Sequence, residues 1–461
     1  MTALWTAAAA AAVTGGRAAG EWAATGLSID SRSLAPGALF CALPGERTDG
    51  HAFTAAALAA GAAAVLVSRP QPDGTPHLLV PDVLAAIEAL ARDARARSTA
   101  RIAAVTGSVG KTGSKEALRL ALAACGPCYA SPGNLNNQIG APLSLAGMPA
   151  GLRFAVFELG MNHAGEIAPL SRLVRPHVAL ITNVALVHAG FFSGIEAIAD
   201  AKAEIFAGLE PGGIAVLNRA CPQFDRLARA AAGFTILSFG AAGAEARILS
   251  ADLGTEGSDV VADLAGRRIA YRIGAPGRHW VDNSLGVLLT AHALGADLEA
   301  AAAALAQVRA PKGRGARTTI SLAGGGSFTL VDESYNASPP AVRAALALLA
   351  AAPARRKLLV LGDMLELGAL AAREHEGLAP AILAAAPDRV FLIGPEMSRL
   401  TGLLPAAMVA GAFADSASAA PVIAAQMRDG DLVTVKGSLG MRMAAVIAAL
   451  NGLSLHRAEA C

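Results

Sequence analysis

Val105-Thr106-Gly107-Ser108-Val109-Gly110-Lys111-Thr112 decides how this chain reads. An apolar run, 102–105, leads into it, and a helix-forming stretch, 114–124, leads away. Strand, glycine turn, Lys-Thr and helix make a triphosphate cradle: successive backbone N–H groups wrap the phosphates and the helix N-terminus adds positive potential. In that reading Gly107, Ser108, Val109, Gly110 and Gly113 line the loop, Lys111 neutralises charge, and the Thr112 hydroxyl can ligate Mg²⁺. Val105 stands where the strict pattern has glycine, which leaves Gly-x-x-Gly-Lys-Thr. An ordinary strand–helix turn is the plainer alternative.

Outward from the loop, 99–311 alternates strand and helix. Strands are expected at 102–106, 154–158, 178–183 and 213–217, with helices between them, the pattern of a mainly parallel sheet with crossovers. Ligands of such sheets gather at the C-terminal strand ends. There the chain places Thr112, then Glu158, then Asn183 with His188. Glu158 closes the apolar run Phe154-Ala155-Val156-Phe157, and a hard oxygen ligand beside a phosphate loop suits Mg²⁺. Capping a helix is its alternative role. An amphipathic helix over 195–206 carries Lys202 beside Glu204, and on this pattern alone Lys202 reads as a surface lysine.

Two further α/β units flank this one. Residues 1–98 form a small unit with a buried strand at 62–67, a helix at 83–96, and turns rich in Ser, Arg, Asp and His, among them Asp30-Ser31-Arg32. Pro311-Lys312-Gly313-Arg314-Gly315 reads as a basic hinge into 312–461, where strands are expected at 328–331, 358–361, 390–393 and 432–435. Asp332-Glu333-Ser334-Tyr335-Asn336, Gly362-Asp363-Met364 and Lys436-Gly437-Ser438 follow strand ends. The chain is therefore α/β with three domains.

Composition narrows the function classes. A net charge of +2 implies neither a nucleic acid nor an anionic membrane as partner, and no run reaches the roughly 18 apolar residues of a spanning helix. The alanine run 7–13 lacks a preceding Lys or Arg and is expected to be a first amphipathic helix rather than a signal core. Five cysteines argue against a disulfide framework. Cys125-Gly126-Pro127-Cys128 has redox spacing but falls at the C-terminal end of the expected helix, where the dipole disfavours a thiolate. Only six of the 38 basic residues are lysine. A chain that writes Arg for surface charge keeps Lys where a compact or neutralisable amine is needed. Lys111, Lys115, Lys202, Lys312 and Lys436 all lie in or beside the segments above.

A nucleotide cradle facing a second polar strand edge across a hinge suggests chemistry in a cleft. An ATP-dependent ligase would phosphorylate a carboxylate and let an amine displace the phosphate. A switch or mechanical NTPase is the second class. Its acidic strand end would be Leu330-Val331-Asp332-Glu333, more than 200 residues beyond the loop, and no Asn-Lys-x-Asp guanine motif occurs. A non-catalytic nucleotide-binding module leaves the second edge unexplained.

The combination of Thr106 to Thr112, Gly133-Asn134-Leu135-Asn136-Asn137-Gln138-Ile139-Gly140 and Glu158-Leu159-Gly160-Met161-Asn162-His163-Ala164-Gly165-Glu166-Ile167 resembles the cytoplasmic Mur ligases of peptidoglycan synthesis. Gly277-Arg278-His279, Ser334-Tyr335-Asn336-Ala337, Gly362-Asp363-Met364-Leu365-Glu366-Leu367-Gly368 and Lys436-Gly437-Ser438 extend the likeness over essentially the whole chain. It is greatest to the branch that adds D-alanyl-D-alanine. The diamino-acid-adding branch should carry an Asp-Asn-Pro-Arg motif, which is absent, and folylpolyglutamate synthases lack so long a domain before the loop.

The resemblance implies a UDP-sugar-binding N-terminal domain, a central P-loop ATPase and a Rossmann-like C-terminal domain, working as a cytoplasmic monomer without membrane insertion. It implies ATP and two Mg²⁺ ions as cofactors, with UDP-MurNAc-tripeptide and D-Ala-D-Ala as substrates. Lys111 would hold the transferring phosphate. Thr112, Glu158, His188 and a carbamylated Lys202, in its Ala-Lys-x-x-Ile-Phe setting, would surround the metal. Asn283, Arg314 and Asp332 would meet the nucleotide. Tyr335, Asn336 and Lys436 would lie near the dipeptide, Ser31 and Arg32 at the UDP end, and Asn134, Asn136 and Asn137 among the substrate contacts. Departures from the family pattern are Val109 for a small polar residue, Gly113 for a second hydroxyl, and no acidic residue just after His188.

Overall fold

A computed structural model describes residues 3–45, 48–187 and 189–454. Among the described residues the strands form three main sheets and one short pair. The loop-bearing sheet is the largest. Its parallel part runs Thr235–Phe239, Ile214–Asn218, Val178–Ile181, Arg101–Thr106, Phe154–Glu158, Cys128–Ala130. The strand carrying the loop is central, with Glu158 in register with Val105 and Thr106 with Ile181. Every residue from Phe154 to Glu158 is buried, as expected for a strand covered on both faces.

The other edge of this sheet departs from the expected alternation. Ala246–Leu253, Ser258–Leu264 and Arg267–Ile273 form an antiparallel meander. Their burial alternates strictly along Ser258–Leu264, because only one face is covered, by the helix Arg278–Ala293. Smaller departures sit at element ends. The strand at 178 stops at Ile181, and Thr182 and Asn183 turn to the phosphate loop instead. The helix holding Lys202 ends at Ala203 and tightens into the 3₁₀ turn Glu204–Gly208.

The N-terminal sheet orders Arg17–Ala19, His77–Leu79, Ala64–Val67, Ala38–Cys41, Gly26–Ser28, antiparallel only at its first pair. The alanine run does form a helix, Ala7–Thr14, capped by the Thr6 hydroxyl. Trp5 and the helix Val83–Ala96 join the N-terminal unit to the central sheet through one continuous apolar core. Trp5 Nε1 donates to Ala146 O at 2.9 Å across this junction.

The C-terminal sheet orders Ala316–Ser321, Ser327–Glu333, Asp431–Lys436, Arg356–Gly362, Arg389–Ile393, Val409–Phe413, and is parallel after its first pair. It has its own cores on its two faces. No helix among the described residues is long and apolar enough to cross a membrane.

Candidate functional site

The phosphate loop is pinned before any ligand arrives. Ser108 N donates to Asn183 O at 3.0 Å, Val109 N to Asn183 Oδ1 at 3.1 Å, and Thr182 Oγ1 to Val109 O at 2.7 Å. Helix Lys111–Ala123 starts at Gly110, whose φ of 83° is the left-handed turn that aims the helix N-terminus at the loop's mouth. A Cβ there would stand 2.7 Å from Asn283 Nδ2, so Asn283 lies directly against the loop. Lys111 folds back, its Nζ donating to Gly107 O at 2.7 Å. Burial pulls its pKa below the usual lysine range, Glu158 opposes that shift, and Arg314 from the hinge adds to it.

Buried polar atoms without partners mark the site more sharply than any motif. Among the described residues six side-chain N or O atoms are buried and unpaired, and four of them are Thr106 Oγ1, Thr112 Oγ1, Ser114 Oγ and Glu158 Oε2. An unpaired buried hydroxyl or carboxylate oxygen costs about 1–3 kcal/mol, so such a cluster is retained for a ligand. Glu158 Oε1 is engaged by Asn136 Nδ2 at 2.6 Å, which leaves Oε2 buried and unpaired. One carboxylate and one hydroxyl beside a triphosphate cradle fit Mg²⁺, which takes few protein ligands and completes its shell with phosphate oxygens and water. No group of three or more His, Cys, Asp or Glu side chains that could hold a metal ion is assembled among the described residues.

Lys202, read from its helix as a surface residue, is instead 2 % exposed. Burial holds its pKa well below the usual range, and the nearby charge of Lys111 adds to the shift. A buried amine pushed toward its neutral form is a nucleophile. His188 lies outside the described residues.

The loop 131–137 bridges the site. Asn136 reaches Glu158, while Asn134 Nδ2 donates to Tyr335 Oη of the C-terminal unit at 2.6 Å. Asn137 Oδ1 accepts from Ile139 N and Gly140 N, opening the next helix. Across the cleft, the Arg314 guanidinium stacks 3.9 Å above the Tyr335 ring. Buried Lys436 is paired with Glu333 at 3.1 Å and donates to Asn336 O. Asp332 is buried, with Oδ1 accepting from the Ser334 amide at 3.0 Å. Ser31 and Arg32 sit apart in the N-terminal unit, where Arg32 pairs with Asp30, whose pKa falls to about 2 through that hydrogen bond.

Some polar strand ends serve the fold instead. Asp363 accepts from Met397 N at 2.6 Å and Glu396 N at 3.3 Å, anchoring a turn. The cysteine pair is unbonded, and burial pushes the Cys128 thiol up to about 12, which suits packing rather than redox work.

Three residues have contacts that the sequence did not assign. Glu204 accepts from Gly165, Ile167 and Ala168 N–H groups at 2.6, 3.1 and 3.1 Å, holding the end of the Lys202 helix to the segment after Glu158. Trp280 lies against Gly113, where a Cβ would meet its ring at 2.7 Å. Lys115 is fully buried behind the loop. The scarcity of lysine singled out Lys115, and Glu204 stood beside Lys202, but neither signal said what these side chains face.

Models of three families match successive segments: Mur ligase family, catalytic domain, over 23–95, Mur ligase middle domain over 105–291, and Mur ligase, glutamate ligase domain, over 316–439. A UDP-N-acetylmuramoyl-tripeptide–D-alanyl-D-alanine ligase of Escherichia coli is 36 % identical over 92 % of this chain and 93 % of its own length. One of Rickettsia prowazekii is 34 % identical over 91 % and 94 %. A crystal structure of MurF from Acinetobacter baumannii superposes with a TM-score of 0.82 at 31 % identity, covering 97 % of this chain and 99 % of that one. MurF ligase from Thermotoga maritima, solved in complex with ADP, gives 0.73 at 26 % identity over 94 % and 98 %. Matched along its length by three family models and by relatives more than one-third identical over nine-tenths of it, the chain belongs to the Mur ligase family.

Proposed function

We propose that the chain is an ATP-dependent carbon–nitrogen ligase that joins D-alanyl-D-alanine to UDP-N-acetylmuramoyl-tripeptide. The observation that carries this is the cluster of unpaired Thr112, Ser114 and Glu158 oxygens around a preformed phosphate loop, facing a polar edge on a separate sheet. Relatives about one-third identical over more than nine-tenths of the chain bear this activity in their names.

In this reading residues 1–98 bind the UDP end, with Ser31 and Arg32 at the turn, residues 99–311 bind ATP, and residues 312–461 present the dipeptide. The loop amides and Lys111 hold the β- and γ-phosphates. Asn283 faces the adenine, and Arg314 and Asp332 reach the nucleotide when the C-terminal unit closes. The tripeptide carboxylate attacks the γ-phosphorus, an O–P bond forms, and the bond to ADP breaks. The dipeptide amine, positioned by Tyr335, Asn336 and Lys436, then attacks the acyl carbon; phosphate leaves and the amine loses a proton. Thr112 and Glu158 would hold Mg²⁺, which neutralises phosphate charge when bound. The neutral Lys202 amine adds to carbon dioxide, releases a proton, and becomes a carbamate suited to a second ion. In this reading the enzyme works as a monomer in the cytoplasm.

Phosphate release from ATP is the test, measured with each substrate alone and with both. Release that requires both supports the ligase. Release with neither substrate makes the chain a plain ATPase, and release that requires glutamate or diaminopimelate as the amine moves it to a sibling reaction.

A further inference from the structure

Lys115 sits one helical turn beyond Lys111, 0 % exposed, in a chain that uses lysine sparingly. Its Nζ donates to Ser131 O and Gly133 O at 2.7 Å each and meets Glu116 Oε1 at 3.0 Å. An ammonium has three donors, and all three are matched. Burying a charge is unfavourable unless its partners are exact in number and place, so this one is retained for what it holds. A guanidinium would not serve, because its planar fork cannot converge on three acceptors around one nitrogen.

What it holds is the segment 131–137. That segment meets Glu158 itself twice, through Asn136 Nδ2 on Oε1 at 2.6 Å and through Ser131 Oγ accepting from Glu158 N at 3.2 Å, and the flanking backbone through Ser131 N on Val156 O and Gly160 N on Asn136 O. It also carries Asn134, which meets Tyr335 of the C-terminal unit. Lys111 and Lys115 therefore project from one helix, the first onto the phosphate loop at Gly107 O and the second toward the segment that holds the Glu158 carboxylate.

We propose that Lys115 is a positioning residue for the reaction: it couples the nucleotide-gripping helix to segment 131–137, and so sets where Glu158 Oε2 stands relative to the phosphate loop. This rests on the loop and Glu158 being the nucleotide and cation grip. A mere structural stitch would lend stability and nothing more.

Lys115→Met keeps the length and apolar stem but removes the donors. The readout is binding of methylanthraniloyl-ADP by fluorescence across a Mg²⁺ titration, beside thermal unfolding. The Mg²⁺ needed for half-maximal binding should rise about tenfold, the scale for losing a partner that orients a metal ligand. Lys115→Arg should not restore it. Asn136→Ala should raise it similarly, and the double variant should be little worse than either single one. A lowered unfolding temperature with an unmoved Mg²⁺ requirement, or single effects that multiply in the double variant, overturns the proposal. If Lys115→Met does not fold, amide exchange on the unaltered protein decides. Mg²⁺ with ADP should slow exchange at residues 135–137 along with the loop helix, and protection that ends at the helix overturns coupling. Unaltered protein that shows no Mg²⁺-dependent nucleotide binding would instead refute the reading of the grip itself.

Discussion

Lys202 shows how far a residue's role depends on what surrounds it. On its helix it is one charge among several, yet it is 2 % exposed and its pKa is held well below the usual range by burial. Lys202→Ala should lower turnover by about 100-fold, and acetate or bicarbonate should restore part of it by occupying the vacated space. Full turnover without rescue would remove Lys202 from the site. Gly113, a departure from the family's usual hydroxyl, has a steric reason. A Cβ there would lie 2.7 Å from the Trp280 ring, so the two residues fit as a pair. Gly113→Ser should destabilise the protein by about 1–3 kcal/mol through overpacking, and adding Trp280→Leu should recover most of that loss in urea unfolding. Equal stability of Gly113→Ser and the parent would show that the ring yields freely.

At the scale of elements, the site depends on helices held from outside their own sequence. Helix Ile167–Val174 has no side-chain cap of its own. Glu204, at the start of the 3₁₀ turn after the Lys202 helix, takes its first amides instead. A carboxylate is favoured at that pole of the helix dipole. Glu204→Ala should therefore cost about 1–2 kcal/mol, the range for a lost N-cap, and should also raise the Mg²⁺ requirement, because the Lys202 helix end loses its anchor. An unchanged Mg²⁺ requirement would confine Glu204 to stability. The antiparallel meander at the sheet edge has no polar strand end of the site, and its alternating burial marks it as a cover for the helix bearing Asn283.

At the scale of the whole molecule, two kinds of junction differ. The N-terminal and central units share an apolar core, whereas the C-terminal unit has its own cores and meets the rest through the 311–315 hinge and polar contacts. Tyr335→Phe deletes the Asn134 hydrogen bond, worth about 0.5–1.5 kcal/mol, and should raise KM for the dipeptide by up to about tenfold. An unchanged KM would mean that the contact has no part in the closed arrangement. His279 lines a crevice at this junction with Trp280, Arg314, Glu333 and Leu348. Burial pulls its imidazole below the usual range, opposed by Glu333 and Asp282 and assisted by Lys436. The unfolded chain thus binds that proton first, near pH 6.5. The contribution of neutral His279 is present above that pH and is lost as pH falls below it. The ring keeps contact with solvent, so the effect is small: unfolding temperature should fall slightly as pH drops below about 6.5, and His279→Asn should flatten the fall. An equal fall in the variant would assign the effect elsewhere.

Local order and chemistry were legible along the chain. Glycine spacing followed by Lys-Thr announced the loop, and apolar runs leading to Glu158 or Asp332 announced strands with polar ends, because both signals are patterns that neighbouring residues write together. Three facts were written only in folded space. The meander replaced a crossover, since pairing direction depends on which faces are covered. Lys202 became buried because packing around its helix, not its own periodicity, sets its exposure. Lys115 acquired two of its three acceptors from a segment 16 to 18 residues away. A sequence states which groups are available, but desolvation and long-range hydrogen bonding decide which of them are charged, paired or left open for a ligand.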